Sequence, residues 1–486
     1  MRAMRVLAVG LFLALIGILS GLVQDVRDAQ AIPAFARKYD FACNVCHVPS
    51  FPKLNDFGNL FKDHGYQLGT DQELPTWEGL TKGFWPVSFR TAVGYQFREV
   101  NGLAVTGAGV PSQDVKATSS AIGFNGLDIL SFGLLHRDIS FGLVVVPDVV
   151  SGGFTGGGPG TTDLEQVFIR LDNLQRFIGL GENNYLMNFK VGKFEPDLPF
   201  SIHRTPTINS NMLIYTYEAG HPFINDFFGF ANPTGVGYAN ANDFAFADPQ
   251  FDAELAGIAP TSLTNGYFRY SLNALTNQNN NIGATGGGHA MQFYGHVTQS
   301  FGGYGIVAGH RVGLFGMYGK SPTVPNAAGV TPGTGEANAT FSRMGVDAST
   351  TWGGQVNVFG AWMFAKDTTP LFQTNLNPPQ EAHWNGGFIE ADYNPTSLPK
   401  WLFVYRYDWI TNTQQGITTF DTGFPVPGNF NNVQQHTAAV RYNFHLSTRT
   451  DIALHLEYNH IQDRLTAASG GDQKLNQMMA GFDFAF

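Results

Sequence analysis

From Val87 to the end of the chain, apolar and polar residues alternate with a period of two, the pattern of strands with one dry and one wet face. In the stretch Val87 to Arg98, the residues Val87, Phe89, Val93, Tyr95 and Phe97 share one face, and Ser88, Arg90, Gly94, Gln96 and Arg98 share the other. The same alternation sets Phe403, Tyr405 and Tyr407 against Arg406 and Asp408, and Leu454 and Leu456 against His455 and Glu457. Any one of these segments also suits a soluble sandwich.

The pattern predicts strands near residues 87–97, 122–133, 139–146, 164–172, 185–195, 235–243, 266–275, 290–299, 304–318, 341–350, 354–366, 384–393, 400–410, 434–445, 450–461 and 476–486. That is about sixteen, within the range of transmembrane barrels. Long polar or Gly/Pro-rich connections (Pro147 to Thr162, Lys320 to Ala339, Thr368 to His383, Thr411 to Val433) alternate with tight turns (Phe301 to Gly303, Asn394 to Pro399, Leu446 to Arg449). An outer-membrane barrel has this asymmetry, with long loops outside the cell and short turns in the periplasm; a sandwich has no reason for it. The connection Asp243 to Asn265 is too long for the scheme and implies a misplaced strand or a periplasmic helix. The last strand carries Met478, Ala480, Phe482, Phe484 and the terminal Phe486 on one face, which resembles the signal read by the outer-membrane assembly machinery. The expected fold is therefore all-β, an outer-membrane barrel of about sixteen antiparallel strands.

Composition agrees with this. Only 14% of residues are charged while Phe occurs 42 times, against roughly a quarter charged in ordinary soluble domains. A net charge of -10 does not suggest nucleic-acid binding. At the N-terminus, Arg2 and Arg5 precede an apolar run from Val6 to Val23, and Ala29-Gln30-Ala31 offers a signal-peptidase site. Residues 1–31 are read as a cleaved signal peptide, with an uncleaved anchor as the alternative.

The only two cysteines fall in Cys43-Asn44-Val45-Cys46-His47. In a CxxCH motif each thiol can add to a vinyl group of haem, and the adjacent histidine becomes an axial iron ligand. A structural zinc site usually has two Cys pairs, and this chain has no second one. A thioredoxin-like motif needs a βαβ context that the flanks do not offer. A plain disulfide gives no reason for His47. One covalent haem c is the cofactor expected here.

Residues 32–83 then form a short cytochrome c segment with some α-helix, and residues 84–486 the barrel. Fifty residues are few for an independent core around a haem. The segment is expected to plug or abut the lumen, giving electrons an intermediate stop across the membrane. From Lys53 to His64 the spacing of Leu54, Phe57, Phe61 and His64 predicts an amphipathic helix with one shared face. His64 is thus the candidate sixth iron ligand. The plainer reading makes it a helix-end residue capping carbonyls, which would leave Met187, Met212, His203, His221 or a lumen histidine to ligate.

Ile32-Pro-Ala-Phe-Ala-Arg37, CNVCH at 43–47, Phe51-Pro52-Lys53-Leu54, Phe57-Gly58, Phe61-Lys62 and Gly65-Tyr66 resemble the haem segment of fused outer-membrane cytochrome-porins. That family includes the monohaem iron oxidases of Fe(II)-oxidising bacteria. The resemblance is specific over these fifty residues and architectural over the rest. It implies an oxidoreductase of Fe(II):cytochrome c type, taking electrons from extracellular Fe(II) or another donor. It implies outer-membrane lipid and a periplasmic carrier, a c-type cytochrome or copper protein, as partners. Cys43, Cys46 and His47 match the family motif directly.

The stretch Val191 to Arg204 leads into the longest external connection, which is rich in Phe, Tyr and Asn and suited to folding into the lumen. Glu195, Asp197 and His203 are a candidate transient Fe(II) site. The plainer reading makes Lys193, Glu195, Asp197 and Arg204 an ion-pair network that pins the loop. Two further functions stay open, an outward conduit that reduces an external acceptor and a diffusion porin with a structural or sensory haem. Direction does not follow from residues, because haem potential depends on ligation, burial and hydrogen bonding.

Overall fold

In the computed structural model the described residues run from 33 to 485, leaving out chiefly 69–74, 148–162, 218–245, 277–290, 323–337, 368–381 and 465–471. Sixteen antiparallel strands close into one barrel, with β1 (Val87–Gly107) paired to β18 (Gln473–Ala485). Each remaining barrel strand pairs with its neighbours in sequence. A separate hairpin, β14 (Thr418–Asp421) with β15 (Phe424–Pro427), stands in the connection after β13 (Trp401–Asn412).

Alternation decides which way each strand faces. In β11 (Val356–Asp367), Asn357, Phe359, Ala361, Met363, Ala365 and Asp367 are buried while Trp362 and Phe364 are exposed. In β13, Arg406 and Asp408 are fully buried while Phe403 and Tyr405 are exposed. Charged groups therefore face the lumen and aromatic rings face outward. Trp352, Tyr393 and Phe403 stand exposed near the ends joined by short turns, and Tyr318, Trp362 and Phe364 stand exposed towards the other end. Those are the two aromatic girdles of a membrane barrel. Closure satisfies the backbone groups of every strand between neighbours, as hydrocarbon requires. The chain is an outer-membrane β-barrel of porin-like architecture.

Fifteen of the sixteen expected strands coincide with observed ones, and one is corrected. In place of a strand at 235–243, which lies outside the described residues, the wall contains β6 (Gln250–Thr261). It lies within the connection that looked too long. Asp252 and Glu254 turn into the lumen and Phe251 turns out, but lumen acids and Pro260 disguise it as a polar linker. The leader at 1–31 also lies outside the described residues.

Before the barrel come four short helices, α1 (Pro33–Tyr39), α2 (Cys43–Cys46), α3 (Asp56–Asp63) and α4 (Thr76–Thr81). Helix α3 starts later than expected because Asn55 caps it, its Oδ1 accepting from Gly58 N at 2.9 Å. This segment docks around the ring at the short-turn, periplasmic end. Ala34 N donates to Ser88 Oγ of β1 at 3.0 Å. Arg170 of β4 (Asp163–Leu171) donates to Lys62 O at 3.1 Å. Lys53 Nζ reaches Asn357 Oδ1 at 2.7 Å, pairs with Asp392 and sits 4.4 Å from the Phe359 ring centre. The segment is thus a plug in the periplasmic mouth.

Candidate functional site

Helix α2 is a single turn, so Cys43 and Cys46 fall three residues apart on one face. Both are buried and no disulfide joins them. His47 N donates to Cys43 O at 2.8 Å, and Asn55 N donates to Cys46 O at 2.8 Å. Asn55 holds the motif from a second side, its Nδ2 donating to Asn44 O at 3.0 Å and to Val45 O at 2.9 Å. One residue therefore caps α3 and fixes the motif. An Asn followed by Asp56 at a helix start is a legible capping signal, though its hold on the motif is not.

Gly58 of α3 packs directly on the Cys46 carbonyl, where a Cβ would collide. Gly58→Ala is expected to push α3 off the motif and destabilise the plug by about 1–3 kcal/mol. Faster protease cleavage within residues 33–83, with the barrel intact, is the measurement. Around this contact Phe35 stacks on Tyr66 at 5.3 Å and meets Phe61 edge-on at 5.0 Å. Burial pushes the His47 imidazole down to about 4 and the Cys46 thiol up to about 12. The histidine is therefore neutral at neutral pH, as a metal ligand must be.

Above the plug, the connection after β5 (Asn188–Phe194) turns into the lumen. It crosses to the opposite wall, where Gln435 Nε2 donates to Asn211 O at 2.9 Å and Arg406 Nη2 donates to Ser210 O at 3.1 Å. Leu213 N, in helix α5 (Leu213–Thr216), donates to Asp408 Oδ1 at 3.1 Å. Strand β13 lies eight places round the ring from β5, so the loop spans the full width. Between plug and loop is a chamber that opens to solvent. Cys46 and His47 line it from the plug, and His203, Arg204 and Met212 line it from the loop. Phe61, Phe132, Phe168 and Phe200 give it apolar walls, and Arg90 and Arg170 add cations. The apolar rings beside Cys46 and His47 suit haem, which is flat and apolar and has two carboxylate arms; Cys43, one turn earlier, is buried and is not among the lining residues.

His64 is placed elsewhere. It is the C-cap of α3, stacked on Tyr185 with ring centres 4.1 Å apart, and it is not among the residues lining the chamber. The helix ends one residue too early to carry its ring onto the face of Phe61. Burial pushes its imidazole down to about 4.

The candidate Fe(II) ligands also separate, and no group of three His, Cys, Asp or Glu suited to a metal occurs among the described residues. Glu195 Oε2 accepts from Ser201 Oγ at 2.7 Å. Asp197 is held in a fork by Arg269, with Nη2 to Oδ1 at 2.7 Å, and His296 Nδ1 stands 3.1 Å from it. His203 turns to Glu165. A cation that pins Asp197 is Arg269 of β7 (Gly266–Thr276), which the expected network did not include. Sequence reasoning missed Arg269 because nothing in a strand pattern says which lumen charge meets which loop. His221 lies outside the described residues.

No protein-family model matches the chain, and neither does any curated protein. Among solved structures, the chain is similar to an anion-selective porin from Comamonas acidovorans at 14% identity, over 82% of this chain and 99% of that one, with a TM-score of 0.47. It is similar to OprB of Pseudomonas putida at 13% identity, over 86% and 99%, with a TM-score of 0.44. It is also similar to the outer-membrane channel DcaP of Acinetobacter baumannii at 11% identity, over 82% and 97%, with a TM-score of 0.42.

Proposed function

We propose that the chain is a c-type cytochrome built into its own outer-membrane barrel, taking electrons from extracellular Fe(II) and passing them to a periplasmic carrier. The observation that carries this reading is the position of the motif. Cys46 and His47 line a chamber inside the barrel, bordered by the plug that bears them and by the inserted loop. Haem, when bound, supplies one-electron chemistry that no side chain here offers. Cys43 and Cys46 would tether it and His47 would ligate its iron, while Arg204 lines the same chamber from the loop. The plug and loop border the site on two sides and would limit the water that reaches it.

Anaerobic mixing of purified protein with Fe(II), followed through the haem absorption bands, tests this. Prompt conversion to the reduced spectrum is expected. Bands that stay oxidised would point to an outward conduit, whose iron sits too low in potential to accept those electrons. Absence of haem bands would leave a second reading, a diffusion porin. That reading is favoured by the sixteen-strand wall with a loop folded across its lumen.

A further inference from the structure

We infer that the second axial iron ligand is His203, delivered by the inserted loop, with Glu165 orienting its imidazole; this rests on the haem reading above. His203 sits in the short turn Ile202–Arg204 and lines the same chamber as His47. Its Nδ1 stands 3.2 Å from Glu165 Oε1 on β4, close enough for the Nδ1 proton to be donated. Its Nε2 is buried and makes no hydrogen bond with any described group. A proton on Nδ1 leaves the lone pair on Nε2. Carboxylate on one nitrogen and a bare lone pair on the other is the disposition of a metal-ligating histidine, whose outer partner fixes tautomer and raises basicity. A buried nitrogen with no partner otherwise calls for an explanation.

Two competing residues are less suited. His64 stacks on Tyr185 away from the chamber lining. Met212 lines the chamber but belongs to the apolar cluster that also contains Tyr215, Phe246 and Phe388, so packing already accounts for it. A ligand on the loop has a consequence that one on the plug lacks. Iron bonded to His47 and His203 ties the plug to the loop across the chamber, so haem insertion fixes two elements that otherwise meet through side chains.

The test uses the full-length protein purified with its haem. Wild type is expected to be low-spin and six-coordinate, with the near-infrared charge-transfer band of bis-histidine iron in place of that of histidine–methionine iron. His203→Ala is expected to keep covalent haem yet become high-spin, and added imidazole is expected to restore the low-spin form. Met212→Leu should stay low-spin. Glu165→Gln should stay low-spin with a raised midpoint potential, since the ligand loses its anionic partner. A histidine–methionine band in wild type, or a heat-modifiable His203→Ala that remains low-spin, overturns the assignment even though haem is present. Absence of covalent haem from wild type overturns the reading beneath it, and the assignment with it.

Discussion

Replacing both Cys43 and Cys46 with alanine is expected to abolish the haem-dependent peroxidase band in denaturing electrophoresis, while the barrel stays heat-modifiable. Thioether bonds survive denaturant, so a band near the size of the mature chain reports attachment and nothing weaker. The effect should be all or none, because this motif holds the only two thiols in the chain. The barrel should be indifferent, since strand pairing closes between β1 and β18 without the plug. A double variant that kept the band would remove the basis of the haem reading. Loss of heat-modifiability as well would mean that the plug is needed for barrel assembly.

The second large effect is expected at Arg269, whose guanidinium joins plug, loop and wall. Its Nε donates to Asp63 Oδ2 of the plug at 2.8 Å, and its Nη2 donates to Asp197 Oδ1 of the loop at 2.7 Å. Burial pushes the carboxyls of Asp63 and Asp197 up, but Arg269 beside them outweighs it and holds both well below the usual range. Arg269→Gln leaves two buried carboxylates facing each other, which typically costs about 3–5 kcal/mol. Plug and loop should both loosen, with faster proteolysis of residues 33–83 and higher ion conductance in planar bilayers. Arg269→Lys keeps the charge but cannot form the fork, and should fall between. Because the folded carboxyls titrate below their unfolded value, the anchor is at full strength above about pH 4 and fades only as pH falls further. Conductance that is unchanged from neutral pH down to mildly acid pH, then rises, is the expected profile.

Much of this was legible from residue order, for reasons that differ by element. Strands such as Trp401–Asn412 announce themselves because lipid demands an aromatic face and the lumen tolerates Arg406 and Asp408 opposite it. Gln250–Thr261 hides because its wet face is acidic and its end carries Pro260. The CxxCH motif is legible because the chemistry of covalent attachment fixes such a spacing. Its surroundings are not, because Lys53 finds Asp392, Arg269 finds Asp63 and His203 finds Glu165 only after the barrel closes. Helical periodicity aligns His64 with Phe61, but the helix ends at Asp63 and the His64 ring stacks on Tyr185.

The central claim is that electrons, not solutes, cross this barrel. The direct measurement places the purified protein in sealed liposomes holding a reducible, membrane-impermeant dye, with Fe(II) outside under anaerobic conditions. Haem-loaded wild type is predicted to bleach the dye, and the Cys43→Ala, Cys46→Ala double variant to leave it coloured. Dye that stays oxidised while small solutes pass would contradict the account and make the chain a diffusion porin.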